Sequence, residues 1–158
     1  MKRILSVLVL PLLVGLLLTA CAGSAEKKPL PAAEDLAKTM LESSVFDDEL
    51  EAADADIAAY LYGLTETDGV EMLSWLSTGA TAEEFSLFVC ADDAVLKTVR
   101  ESVDARLDFQ KRTFADYAPD EVPKLEGAVV RVRDKVLVVC VAADPEKAAK
   151  LLDPYFPA

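Results

Sequence analysis

The chain has 158 residues, 53% of them apolar, with 28 acidic residues, 16 basic ones and no histidine. That length suits one domain burying roughly two-thirds of its unfolded surface, and is too short for a two-lobed solute receptor or a barrel enzyme. The absence of histidine excludes Ser-His and Cys-His mechanisms and His-ligated metal centres. The acidic balance makes nucleic acid a poor partner, because the surface repels phosphates instead of releasing their counterions.

The apolar content is uneven. Met1-Lys2-Arg3 forms a short positive segment, and residues 4–18 form an apolar run broken only by Ser6, Pro11 and Gly15. The run is too short and interrupted to span a bilayer comfortably, so residues 1–20 are expected to be a secretory signal. Removing them takes away Lys2 and Arg3 and leaves 14 basic residues against 28 acidic ones, a net charge of −14. The run ends in Leu18-Thr19-Ala20-Cys21, which resembles the lipobox of bacterial lipoproteins. That resemblance implies cleavage before Cys21, a diacylglycerol on its sulfur and often a further fatty-acyl chain such as palmitate on its new amino group. Two or more chains make a stable anchor on the extracytoplasmic face of the cell membrane. Residues 21–32 read as a flexible tether that brings Lys27 and Lys28 close to lipid headgroups, and residues 33–158 as one domain.

Leu36, Met40 and Leu41 have helical spacing, predicting a helix over residues 33–42. Leu50, Ile57 and Leu61 share one helical face among many acids, predicting a second helix over 47–62 that stops near Gly63. Residues 70–77 and 84–91 read as strands joined by a loop around 78–83. The competing reading is a helix starting at Ala82, because Thr81-Ala82-Glu83-Glu84 has the form of a capping box. Asp92 or Asp93 then caps a long helix reaching about residue 116, with Leu96, Val99, Val103, Leu107 and Phe114 on one stripe and Gln110 where the next apolar residue is due. Tyr117-Ala118-Pro119 ends it. Residues 129–133 and 136–141 flank Asp134-Lys135, a two-residue hairpin turn, and the second strand is apolar on both faces. Asp144-Pro145 opens a last helix that ends before Pro154. The expected fold is α+β: an antiparallel sheet of about four strands from two hairpins, in the order ββαββα, with helices on one face and one or two helices preceding it.

Three stretches, Tyr62-Gly63, Ser77-Thr78-Gly79-Ala80-Thr81-Ala82-Glu83-Glu84 and Tyr117-Ala118-Pro119-Asp120-Glu121-Val122-Pro123-Lys124-Leu125, resemble small lipoproteins of Gram-positive, clostridia-like bacteria that carry domain of unknown function 4358. The resemblance covers roughly residues 33–156 and implies a location and domain limits, with no activity, cofactor or catalytic residue. The pair Cys90 and Cys140 departs from that pattern.

Cys90 and Cys140 fall in strands of different hairpins. They are either a disulfide permitted by a secreted compartment or two small buried hydrophobes. No CxxC partner or nearby base equips either for thiol catalysis. The acidic run 47–56 lacks the register of a calcium loop and reads as a solvated face, so no metal is expected. In the loop, Ser77, Thr78, Gly79 and Thr81 permit close backbone approach to a ligand, or simply make the turn. Arg106 and Gln110 lie four apart at the edge of the apolar stripe, lining a polar pocket or fixing the long helix against residues 117–125. Trp75, Tyr60, Tyr62 and Phe88 line a binding surface or belong to the core.

These readings point to a lipid-anchored, non-enzymatic binding or interaction module of the cell envelope, without cofactor. Its partner would be a protein or peptide, with cationic peptides or divalent ions favoured weakly and salt-dependently by the acidic surface. The alternative is an envelope enzyme using carboxylates and a lysine on wall or peptide substrates, which two buried carboxylates in one cleft would favour.

Overall fold

A computed structural model describes residues 28–64 and 69–157. The signal segment, the lipobox with Cys21 and the first part of the expected tether lie outside these residues. The chain order is α1 (Ala33–Leu41), β1 (Glu51–Ala52), α2 (Ala55–Leu61), β2 (Val70–Leu76), β3 (Glu84–Cys90), α3 (Asp93–Tyr117), a 3₁₀ turn (Pro119–Glu121), α4 (Val122–Glu126), β4 (Val129–Arg133), β5 (Val136–Val141) and α5 (Pro145–Leu152). The fold is α+β. Five strands, rather than four, form one antiparallel sheet in the order β1-β2-β3-β5-β4.

β3 and β5 sit side by side in the middle, which is why β5 reads as apolar on both faces and why β3 also carries large apolar side chains on each. Phe88, Cys90, Leu137, Val139 and Val141 face a layer made by Tyr62 and Leu64 at the end of α2, by Val99, Val103, Leu107 and Phe114 of α3, and by Leu125 of α4. Phe85, Leu87, Val138 and Cys140 face the opposite layer, with Leu36 and Met40 of α1, Ala148 and Leu152 of α5, and Phe156. Helices therefore cover both faces, where one covered face was expected. The cause is the doubly apolar alternation of the two central strands, since each face must be shielded from water.

The 78–83 loop resolves in favour of the hairpin. Ser77 N–H donates to Glu83 O at 3.1 Å, and β2 pairs with β3 from Val70↔Cys90 to Leu76↔Glu84. The capping box is not used, because Glu84 is buried and held elsewhere. Asp92 caps α3, its Oδ1 accepting from Ala94 and Val95 N–H at 2.9 Å each, and Asp144 caps α5 through Lys147 N–H. Each such cap contributes about 1 kcal/mol.

The second expected helix is only half present. Residues 47–50 are not helical, because the Glu83 carboxylate takes the N–H groups of Asp47 and Asp48 and β1 then pairs with Trp75 and Leu76. In the surviving helix, α2, Ala58 and Ala59 point inward, while Ile57 and Leu61 are exposed. Leu50 packs with the opposite layer, so the face inferred from residues 50, 57 and 61 does not exist. The segment after Tyr117, for which the sequence pattern predicted no regular element, is the 3₁₀ turn and α4.

Cys90 and Cys140 are both free and buried, so the candidate disulfide is absent. They lie in different layers, on opposite faces of the sheet. Cys140 pairs across from Phe85, five residues from Cys90 along β3, an offset of about 17 Å at the strand rise, well beyond disulfide reach. Burial raises the pKa of both thiols. Titration of the folded protein with an aromatic disulfide reagent should leave both unmodified over minutes, and denaturant should release both together.

Candidate functional site

The end of α2, the face of α3 and the β2–β3 loop enclose a cleft of about 210 Å³. Ser77, Gly79, Thr81, Arg106 and Gln110 all line it, so the hydroxyl loop and the polar pair, which the sequence left as separate candidates, occupy one place. Thr78 lies on the exposed outer side of the loop and is not part of the lining. Leu61, Phe109 and Tyr117 form an apolar rim, Phe109 and Tyr117 being 59% and 57% exposed.

Below the rim lies a buried ion pair. Arg106 projects from α3 with Nε at 3.0 Å and Nη2 at 2.6 Å from Glu84 Oε2. Its Nη1 donates to Leu61 O at 3.4 Å, and its guanidinium lies 4.9 Å from the centre of the Tyr62 ring. Tyr62 donates its hydroxyl to Glu84 Oε1 and meets Phe88 edge-on at 4.9 Å. Both carboxylate oxygens of Glu84 are thus occupied. This arrangement satisfies a charge in an apolar layer, where an unpaired one would be very costly.

A second ionic cluster braces the loop. The buried Glu83 carboxylate accepts from Asp47 and Asp48 N–H at 2.9 Å each and from Lys124 Nζ at 2.9 Å. Lys124 also reaches Glu121 at 3.0 Å, and the other Glu121 oxygen accepts from Ala82 N–H. The loop itself is tied by Ser77 Oγ donating to Thr81 O at 2.6 Å and by Gly79 at φ +93°.

The acids 47–56 do not converge on a common point: Asp47 lies 3.9 Å from Lys124, Asp48 accepts from Thr81, and Asp54 precedes α2 with no side-chain cap. Among the four aromatics singled out, Tyr62 and Phe88 are core, Trp75 packs on the opposite layer beside Phe85, and Tyr60 is exposed.

Glu83, Glu84, Glu121, Lys124, Phe109 and Tyr117 were not selected from sequence as site residues, and Tyr62 was selected only as one of four aromatics, not as a partner of an ion pair. A usable signal existed for the central pair: Arg106 stands beside the apolar stripe of the long helix, and Glu84 begins an apolar strand predicted next to it.

The ionisations are coupled to stability. Burial first, and then the Glu84 charge, push the Tyr62 hydroxyl well above its ordinary 10.0. For Lys124, burial works downward, but the hydrogen bonds and charges of Glu83 and Glu121 prevail and raise it above 10.5. Above about pH 10 the unfolded chain releases protons that these groups retain in the fold, so stability present below that pH is lost as the pH rises through the folded values. Denaturation midpoints should therefore be flat near neutrality and fall above about pH 10. Tyr62→Phe should flatten that fall, a comparison made by urea unfolding across pH.

Fold and site together define a small α+β domain with a polar cleft floored by a satisfied ion pair. The chain matches Domain of unknown function (DUF4358) over residues 43–142 and belongs to that family. No curated protein and no solved structure matches it. The three stretches that carried the family resemblance meet at this cleft: Tyr62 beneath it, residues 77–84 along one wall, and residues 117–124 at its rim and brace. Among the described residues no helix is long and apolar enough to cross a membrane.

Proposed function

We propose that this is a lipid-anchored extracytoplasmic lipoprotein, acylated at Cys21, whose domain is a non-enzymatic binding module of the cell envelope. The lipobox at residues 18–21 supports the anchor and the location. The binding reading is carried by the state of the charges at the cleft. The oxygens of Glu83 and Glu84 are committed to Lys124, Arg106, Tyr62 and backbone N–H groups, so neither carboxylate is free to take up and release a proton as a general base must. What remains open is the Gln110 amide, which makes no hydrogen bond among the described residues, together with the loop and the apolar rim. That surface suits an uncharged, partly apolar group such as a side chain and its flanking peptide amides. The volume is below that of whole-ligand sites, so the cleft would hold one part of a longer ligand.

Native mass spectrometry of the protein extracted from its own membrane in mild detergent tests both parts. The expected result is lipid mass on Cys21 and a co-purifying peptide that is lost in the variant F109A/Q110A. Stability in that variant should change by no more than about 1 kcal/mol, because both side chains lie at an open surface. An unlipidated mass would refute the anchor, and a bare lipidated monomer would refute tight capture.

The second reading, an envelope enzyme working through carboxylate and lysine chemistry on wall or peptide substrates, is favoured by one observation: two buried carboxylates lie at the cleft with a lysine close behind. Product release from wall fragments that stops in Glu84→Gln, with the fold retained, would establish it over the binding reading.

A further inference from the structure

We propose that the β4 edge of the sheet, with the root of the N-terminal segment and the C-terminal turn, is a docking surface for an anionic lipid bilayer, which turns the cleft away from the membrane. This rests on the membrane-anchored reading above.

The first observation is the distribution of charge. Residues 33–125 hold 22 acidic and 7 basic residues, whereas residues 126–158 hold five of each. The whole negative excess of the domain therefore belongs to the part before β4. Across the sheet, Glu51 of β1 and Glu71 of β2 lie on the acidic side, and Arg131 and Arg133 lie on β4, four strand spacings (about 19 Å) from β1 and three (about 14 Å) from β2. At the β4 edge Lys28, Arg131 and Arg133 face two carboxylates, Asp153 and Asp134, at 3.4 and 3.6 Å from their arginines. One positive charge remains uncompensated there, and Lys135 adds a second at the turn end of the β4–β5 hairpin, where its ammonium donates to Ala91 O at 3.1 Å, on a domain that is otherwise strongly negative.

The second observation is where the chain arrives from its N-terminal side. Lys28 N–H donates to Pro154 O at 3.1 Å, Arg133 Nη1 donates to Lys28 O and to Tyr155 O, and the Lys28 ammonium stands 5.9 Å from the centre of the Tyr155 ring. The segment that leads back to Cys21 thus leaves the domain at its basic edge. Val132, 41% exposed, and Tyr155 add the apolar and aromatic character that suits the headgroup zone.

Each basic residue close to an anionic surface favours contact about fivefold, and the effect fades within a Debye length. Two such charges would not hold a free domain of this acidity on a membrane. For a domain already tethered beside the bilayer they bias orientation about thirtyfold, and repulsion of the acidic part acts in the same direction. No residue of β4 or β5 lines the cleft, so contact through β4 leaves the Phe109–Tyr117 rim free for a partner.

The test couples the chain from Cys21 to Ala158, through the Cys21 thiol, to a maleimide lipid; Cys90 and Cys140 are buried. Chemical coupling makes the result independent of biological acylation, which the intact mass of the cell-extracted protein judges separately. Hydrogen exchange is compared on phosphatidylglycerol-containing and pure phosphatidylcholine vesicles. The expected result is exchange slowed about fivefold or more over residues 130–135 and 153–157 on the anionic vesicles only. High salt and the variant R131Q/K135Q should abolish the difference and R131K/K135R keep it, with unchanged β3 exchange showing an intact fold. Equal exchange on the two vesicles, or slowing on α2 and α3 instead, overturns the proposal.

Discussion

Replacing Arg106 with methionine should lower the stability of the domain by about 3–5 kcal/mol, the cost of leaving a buried carboxylate without its cation. Arg106 and Glu84 side chains are 7% and 3% exposed, so water cannot take over the role of the guanidinium without opening the layer between α3 and the sheet. At the size of this domain each kcal/mol corresponds to about 3–5 °C, so the melting temperature should fall by roughly 10–20 °C. The informative comparison is R106M with Glu84→Leu and Tyr62→Phe. Removing the whole polar set replaces an ion pair by apolar packing of similar volume, which is often neutral or stabilising. The triple variant should therefore regain most of the lost stability. Thermal unfolding followed by circular dichroism measures all of these; a single variant as stable as the parent would show that the pair carries no net weight.

Glu83→Ala should cost about 3 kcal/mol by a different route. It frees the N–H groups of Asp47 and Asp48 and removes one of two close carboxylates from Lys124, so two orphaned donors and a poorly compensated ammonium add up. The loss should be local before it is global. Amides 47 and 48 should exchange much faster, and the 77–83 loop should loosen while the β3–β5 ladder stays protected. Because the loop forms one wall of the cleft, ligand affinity should fall even though Glu83 is braced from behind by α4. Glu83→Gln keeps one acceptor oxygen and should fall between the parent and the alanine variant. Hydrogen exchange read by mass spectrometry separates these outcomes.

Both predictions turn on carboxylates that the linear pattern concealed, Glu84 and Glu83. α1, β2, β3, α3, the β4–β5 hairpin and α5 were legible because each is set by a short-range rule: helical or alternating apolar spacing, an Asp cap, a two-residue turn, Pro at the first helical position. Arg106 and Gln110 were legible as irregularities beside an apolar stripe. Their partner across the sheet, Glu84, was masked because it also fits a capping box, and its neighbour Glu83 reads locally as one more surface acid.

The amino-acid sequence by itself determined the fold class, most of the regular elements and the two-faced apolar character of β5, since backbone sterics and burial act within a few residues. Tertiary structure decided the rest. Glu83, 35 and more residues away in sequence, withdrew residues 47–50 from a helix; sheet register sent Cys90 and Cys140 to opposite faces; and the packing of α2 and α3 on one face brought a loop, a helix stripe and a buried ion pair into one cleft. The physical reason is range. Spacing and propensity are properties of neighbouring residues, whereas charge compensation in a low-dielectric interior depends on which side chains the completed fold brings within about 3 Å of each other.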